Sequence, residues 1–160
     1  MSNFSLLVRL VSVRAHEAQK ETPMKITVET VVKAPLNTVW DTWNSPEDIK
    51  QWNTAQEDWH TTRSTVDLRE GGKFSARMEA NDGSMGFDFD GTYTRVEPNK
   101  LIEYRMDDDR QVTIEFVEQT DGGVLVKETF DAETENTPEL QRQGWQAILD
   151  HFGRYAEAKA

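Results

Sequence analysis

The chain has 160 residues, enough for one domain with a core of its own. It has no cysteine, which excludes disulfides, thiolate nucleophiles and thiolate metal sites. Its formal charge of −11 works against binding to nucleic-acid phosphates or anionic lipid, and suits a solvated body.

Residues 1–23 carry Arg9, Arg14 and Lys20 against Glu17 and Glu21, so the acidity lies in the remainder of the chain. The apolar stretch FSLLVRLVSV is interrupted by Arg9, and nothing basic precedes Phe4. It fits neither a secretory signal nor the roughly 20 apolar residues of a membrane span. The expected organisation is an N-terminal extension, 1–23, and a single domain, 24–160, in a cytoplasmic protein without membrane insertion.

MKITVETVV, residues 24–32, alternates with Ile26, Val28, Thr30 and Val32 on one face, as a strand does. Pro35 then opens a short helix bearing Leu36, Val39, Trp40 and Trp43. Ser45-Pro46 reads as the cap and first residue of a second short helix, with Glu47 and Asp48 in its first turn. From Trp59 to Glu133 the period changes to two. Turn signals at Gly71-Gly72, NDGS, Pro98-Asn99, DDDR and TDGG divide this stretch into six strands. The connections are too short for crossover helices, so the sheet is an antiparallel meander.

The last segment starts with a cap at Asn136 or Thr137, then Pro138 and Glu139. Leu140, Gly144, Trp145, Ile148, Leu149, Phe152 and Tyr155 recur at three- and four-residue spacings. That predicts an amphipathic helix of about five turns lying on the sheet. The predicted fold is α+β: a seven-stranded curved antiparallel sheet wrapped on a long C-terminal helix, with two short helices after the first strand. Gly91, within the fourth strand, marks a bend or a close approach of another group.

VKAPLNTVWDTWNSPEDIKQWN, DLREGGKF, GFDFDGTYTRVEPNKLIEYRM and ELQRQGWQAILDHFGRY resemble the Hsp90-ATPase-activator-homologue branch of the START/Bet v 1-like superfamily, from about Ile26 to Tyr155. The resemblance implies a helix-grip fold, in which sheet and helix enclose an elongated apolar cavity. It implies a superfamily of lipid and hormone carriers, aromatase/cyclases and many bacterial proteins. Named activators of Hsp90 carry a further, larger chaperone-binding domain, for which residues 1–23 are too short.

Strand parity predicts the inner face. Val66 and Leu68 point inward, and with them Ser64, Thr62 and His60. So do Phe74, Ala76 and Met78, then Phe87, Phe89, Gly91 and Tyr93, then Ile102, Tyr104 and Met106. Val112, Ile114 and Phe116 follow, then Val124, Val126, Glu128 and Phe130. A single bulge would reverse the assignment beyond it.

His60 and Glu128 are the ionisable groups on this apolar face. Each is either a satisfied structural polar group or a polar anchor for a ligand. Trp52 and Trp59 flank the loop NTAQED, at the expected entrance, while Trp40 and Trp145 lie on helical apolar stripes. The candidate ligand-binding set is Trp43, Trp52, Trp59, His60, Phe74, Met78, Phe87, Phe89, Tyr93, Tyr104, Met106, Glu128, Phe130, Trp145 and Leu149.

His16, His60 and His151 lack metal-site spacing, and the acidic run 107–109 reads as a solvated turn rather than a calcium loop. EGGKF lacks the Gly-Lys-Ser/Thr helix start of a phosphate loop, and no Gly-x-Ser-x-Gly elbow occurs. No metal or cofactor is expected. The favoured expectation is a non-catalytic carrier or sensor of a small apolar or aromatic molecule, as a monomer or homodimer. Two alternatives stand beside it. One is a cyclase- or lyase-type enzyme with His60 or Glu128 as acid or base, aided by Tyr93 or Tyr104. The other is an Hsp90-type chaperone-interacting module.

Overall fold

The computed structural model describes residues 23–160, so all but the last residue of the expected N-terminal extension lies outside the described residues. Strand β1, Lys25–Val32, buries Ile26, Val28 and Val32 and turns Lys25, Glu29 and Val31 outward. Helix α1, Leu36–Asn44, follows Pro35 and buries Val39, Trp40 and Thr42. Helix α2, Pro46–Trp52, starts as its sequence dictates. The Ser45 hydroxyl accepts from the Asp48 N–H at 3.4 Å, Pro46 needs no partner for an N–H, and Glu47 and Asp48 lie at the positive end of the dipole.

Six strands follow: β2, Trp59–Val66; β3, Lys73–Ala80; β4, Gly86–Glu97; β5, Leu101–Met106; β6, Gln111–Glu118; and β7, Val124–Asp131. Helix α3, Pro138–Lys159, closes the chain, capped by the Thr137 hydroxyl accepting from the Leu140 N–H at 3.1 Å. The sheet order is β1-β7-β6-β5-β4-β3-β2, antiparallel throughout. The meander therefore runs from β2 to β7, and β1 returns to pair with the last strand. The helix-grip architecture predicted from the sequence is the one observed.

Two register shifts bend the sheet, at Thr61/Arg63 in β2 and at Tyr93/Arg95 in β4. The β2–β3 turn is tied to β4 by Gly71 N–H to Tyr93 O at 2.8 Å and Tyr93 N–H to Gly72 O at 2.9 Å. Gly71 has φ +83°, and a side chain at Gly72 would run into the Asp67 carbonyl.

The edge of β1 is covered by α3 side chains. Arg142 Nη1 donates to Thr27 O at 2.9 Å, Gln146 Nε2 to Glu29 O at 3.0 Å, and Glu157 Oε1 accepts from Lys33 N at 3.0 Å. These bonds satisfy an edge that would otherwise invite another strand. The helix stripe predicted from the sequence holds from Trp145 onward but not at its start. Leu140 is 55% exposed, and Gln141 is buried in its place, with Nε2 donating to Glu133 O and Asn136 O. No helix among the described residues is long and apolar enough to cross a membrane.

Candidate functional site: the cavity between sheet and helices

The two sheet edges and the middle of the sheet are covered differently. Helix α3 packs along β1, and α2 packs along β2. Among the described residues, the helices make their main contacts with β1, β2 and β6 rather than with β3, β4 or β5. The inward side chains of these last three strands face a void of about 320 Å³ that reaches in to β7. That lies near the lower end of the range for ligand pockets, about 300–1,000 Å³.

Aromatic rings form most of the wall. On the helix side, Trp43 and Trp52 pack 4.8 Å apart, and both meet Phe152 edge-on at 4.9 Å. Trp52 Nε1 donates to Thr42 O at 3.1 Å, which satisfies its only polar atom in a buried place. On the sheet side, Phe74 packs against Tyr104 at 4.7 Å and Tyr93 at 5.3 Å. Its ring lies against the bare backbone of Gly91, where an added Cβ would come within 2.5 Å of it. The predicted close approach at Gly91 is thus made by Phe74. Phe89 reaches Tyr104 and Trp145, each at 6.3 Å, and so bridges sheet to helix across the void. Phe87, 47% exposed, and Met78 stand toward solvent in the wall.

The polar part of the wall is small. Glu128 is 6% exposed and flanked in the sheet by Val28 and Ile114. Among the described residues no hydrogen bond relieves its carboxyl, and burial pushes its pKa up to about 8. Burial, and then the nearby Glu128, push the Tyr104 phenol well above its ordinary value. Burial, with a smaller contribution from Asp67, raises Tyr93 as well. Arg110 also faces the void, with its Nε held by Asp108 Oδ2 at 2.8 Å. Ser64 contributes a buried Oγ without a partner among the described residues.

Most of the residues singled out from the sequence meet here: Trp43, Trp52, Phe74, Met78, Phe87, Phe89, Tyr93, Tyr104, Met106, Glu128 and Trp145 all line the void. Four do not. Phe130 is fully buried and stacks flat on Trp145 at 3.9 Å, and Leu149 is likewise buried, so both back the wall rather than form it. Trp59 stands one layer out, its ring 5.9 Å from that of Phe87.

His60 is exposed, and the parity that placed it inside is corrected by the bulge in β2. Thr62 is the extra residue. Ser64 and Val66 keep their inward orientation, but below the bulge Thr61 turns in, its hydroxyl donating to Asn53 O at 2.8 Å, and His60 turns out. His60 and Glu128 lie on strands at nearly opposite ends of the sheet order, and the fold does not bring them together.

Reading the sequence missed Asn44, Ile49 and Asn53 around the short helices, Ile148 on α3, and Arg110. Ile148 lies on the predicted helical stripe, so its spacing carries the signal. Arg110 follows the acidic turn and carries no periodic signal.

The family model described as "Activator of Hsp90 ATPase homolog 1-like protein" matches residues 33–157. A solution structure of a protein of that kind from Aeromonas hydrophila is 51% identical, with 85% of this chain and 94% of that one covered and a TM-score of 0.80. A solution structure of a Cytophaga hutchinsonii protein is 46% identical over 84% of this chain and 93% of that one, with a TM-score of 0.73. A Chromobacterium violaceum protein, 24% identical over 84% of this chain and 99% of its own, shares the fold with a TM-score of 0.74. Among curated proteins none matches.

Proposed function

The chain belongs to the Activator of Hsp90 ATPase homolog 1-like family, and from that premise and the cavity's chemistry we propose that it holds a small apolar or aromatic molecule as a carrier or sensor, without transforming it. The observation that carries the reading is the void of about 320 Å³ walled by aromatic rings on both the sheet and the helix side. Well-packed domains rarely keep such a space unfilled. A flat aromatic guest would recover contacts that Phe74, Phe89 and Trp145 lack on one side.

The non-catalytic part rests on the wall's polar groups. Among the described residues Glu128 makes no hydrogen bond to a second acid or base, the nearby Tyr104 phenol is held in its protonated form, and His60 stands outside.

A thermal-shift and calorimetric screen of one- to three-ring aromatic compounds tests this. A ligand present at about 100 times its Kd should stabilise the protein by about 2.7 kcal/mol, or roughly 5–10 °C in Tm. Ala76→Phe, placing a ring into the void from β3, should abolish the effect while the protein remains folded. Failure of every such compound to bind, or unchanged binding by the Ala76→Phe protein, would overturn the proposal.

A further inference from the structure

We propose that the cavity selects, among compact aromatic molecules, those bearing a neutral hydrogen-bond acceptor such as a ketone or quinone oxygen, with the Glu128 carboxyl as the donor that engages it. This rests on the reading of the cavity as a ligand site and adds the chemistry of the ligand's polar end.

Several polar groups of the wall have a hydrogen free to donate. Glu128 has no hydrogen-bond partner among the described residues, and its neighbours across the sheet, Val28 and Ile114, are apolar. An unpaired ionised carboxylate is costly in such a place, so the group keeps its proton near neutral pH and presents an O–H. The Tyr93 and Tyr104 phenols keep theirs for the same reason, and among the described residues no hydrogen bond engages either one. Ser64 Oγ is a further unpartnered hydroxyl on the same wall. A guest that is apolar throughout would leave all of these unsatisfied, whereas a carbonyl oxygen accepts two hydrogen bonds.

Charge decides between a neutral guest and an ionic one. A cation would have to ionise Glu128 within an apolar wall that Arg110 also faces. An anion would need a free positive charge, and Arg110 is already paired with Asp108 at 2.8 Å in a chain of net charge −11. Tyr104 of β5 is the titratable group that interacts with Glu128, and Tyr93 of β4 and Arg110 at the β5–β6 turn bear in turn on Tyr104; β1 and β6 flank Glu128 with Val28 and Ile114, and α3 lines the same void with Trp145 and Ile148.

Four naphthalene probes of equal heavy-atom count separate the possibilities by calorimetry on the full chain at neutral pH: 2-acetylnaphthalene, 2-isopropenylnaphthalene, 1-(2-naphthyl)ethylamine and 2-naphthoate. The ketone should bind at least about tenfold tighter than the alkene, the size of one well-made hydrogen bond. Glu128→Leu should erase that difference, and Glu128→Gln, whose amide still donates, should retain most of it. The ketone's advantage should also shrink above pH 8 while the alkene's affinity holds.

Equal binding of ketone and alkene to the unaltered protein would overturn the proposal and leave the carrier reading standing. So would tightest binding by the amine or by naphthoate. If no probe binds, this proposal falls, and the wider aromatic screen decides the carrier reading. Should Glu128→Leu not fold, the probe ranking and its pH dependence in the unaltered protein decide.

Discussion

The sheet carries two kinds of interior. Across β1, β7 and β6, the inward residues Ile26, Val28, Val112, Ile114, Phe116, Val124, Val126 and Phe130 are each at most 4% exposed, as is Phe152 opposite them on α3. Across β2, β3 and β4, Val66, Phe74, Met78 and Phe89 are only partly buried, and Phe87 is half exposed. The residue types are equally apolar in both halves. What differs is what stands opposite: Phe116 meets the rings of Trp40 and Trp43 and Phe130 stacks on Trp145, whereas Phe74, Met78, Phe87 and Phe89 border the void. Burial here follows from what stands opposite a strand, not from the hydrophobicity of the strand itself.

Both halves are also held by polar ties: in the first, Arg142, Gln146 and Glu157 of α3 bond the backbone at and just beyond β1. In the second, such ties fasten the helical wall, α2 and the residues after it. Asp48 Oδ1 accepts from Tyr155 Oη at 2.6 Å and Asp48 Oδ2 from Lys159 Nζ at 2.7 Å, while His151 Nδ1 lies 3.3 Å from Thr54 O.

The contrast breaks first under truncation of a ring. Phe152→Ala in the filled half should cost about 3–5 kcal/mol in urea unfolding, because it removes a ring enclosed by Trp43 and Trp52. Phe89→Ala should cost about 1–2 kcal/mol, since its ring already borders empty space. Equal costs would mean that the void is closed in solution.

Next comes the pH dependence contributed by Glu128. Its pKa is about 8 in the folded protein, against an ordinary value of 4.5. Between those values the folded state binds the extra proton, so this group makes stability fall as pH rises from about 4.5 to about 8. The loss is a few kcal/mol, about 5 at most. Below that window the group contributes nothing, and above it the full penalty is present. Glu128→Gln should flatten this part of the profile and be more stable than the unaltered protein at pH 9, as measured by denaturant unfolding across pH. A bound acceptor ligand should also move the fall to higher pH.

The smallest effect sharpens the account of the polar ties. The Asp48 hydrogen bond, with burial second, raises the Tyr155 phenol to about 12. Asp48→Asn should return it toward 10, read by ultraviolet titration, and cost about 1 kcal/mol, since Lys159 is well exposed. For Asp48 itself, burial opposes ionisation, but the bonds from Lys159 and Tyr155 outweigh it and lower its pKa. Its contribution to stability is therefore present above about pH 4 and fades as the pH falls through the folded value.

Much of this was legible from one dimension. Helix starts at Ser45-Pro46 and Thr137-Pro138 are local chemistry, and each forms where the cap residues stand. The inner face of β3 to β7 follows from alternation, so Phe74, Phe89, Tyr104 and Glu128 could be named from parity alone. His60 could not be placed, because the bulge at Thr61/Arg63 is a property of how β2 registers against β3. Nor could Phe130 and Leu149 be told from Phe89. All three are inward and apolar, and only the stacking of Phe130 on Trp145 and the seat of α3 decide which are sealed away.

By itself, then, the amino-acid sequence determined the elements, the meander, the wet and dry faces and the presence of one acid among the rings, since each depends on spacing along the chain. The tertiary structure alone decided that the dry face closes on a hollow between β2 and α3, and that Glu128 meets that hollow without a partner. Those outcomes depend on the distance between surfaces contributed by segments far apart in the chain, a quantity that no local pattern encodes.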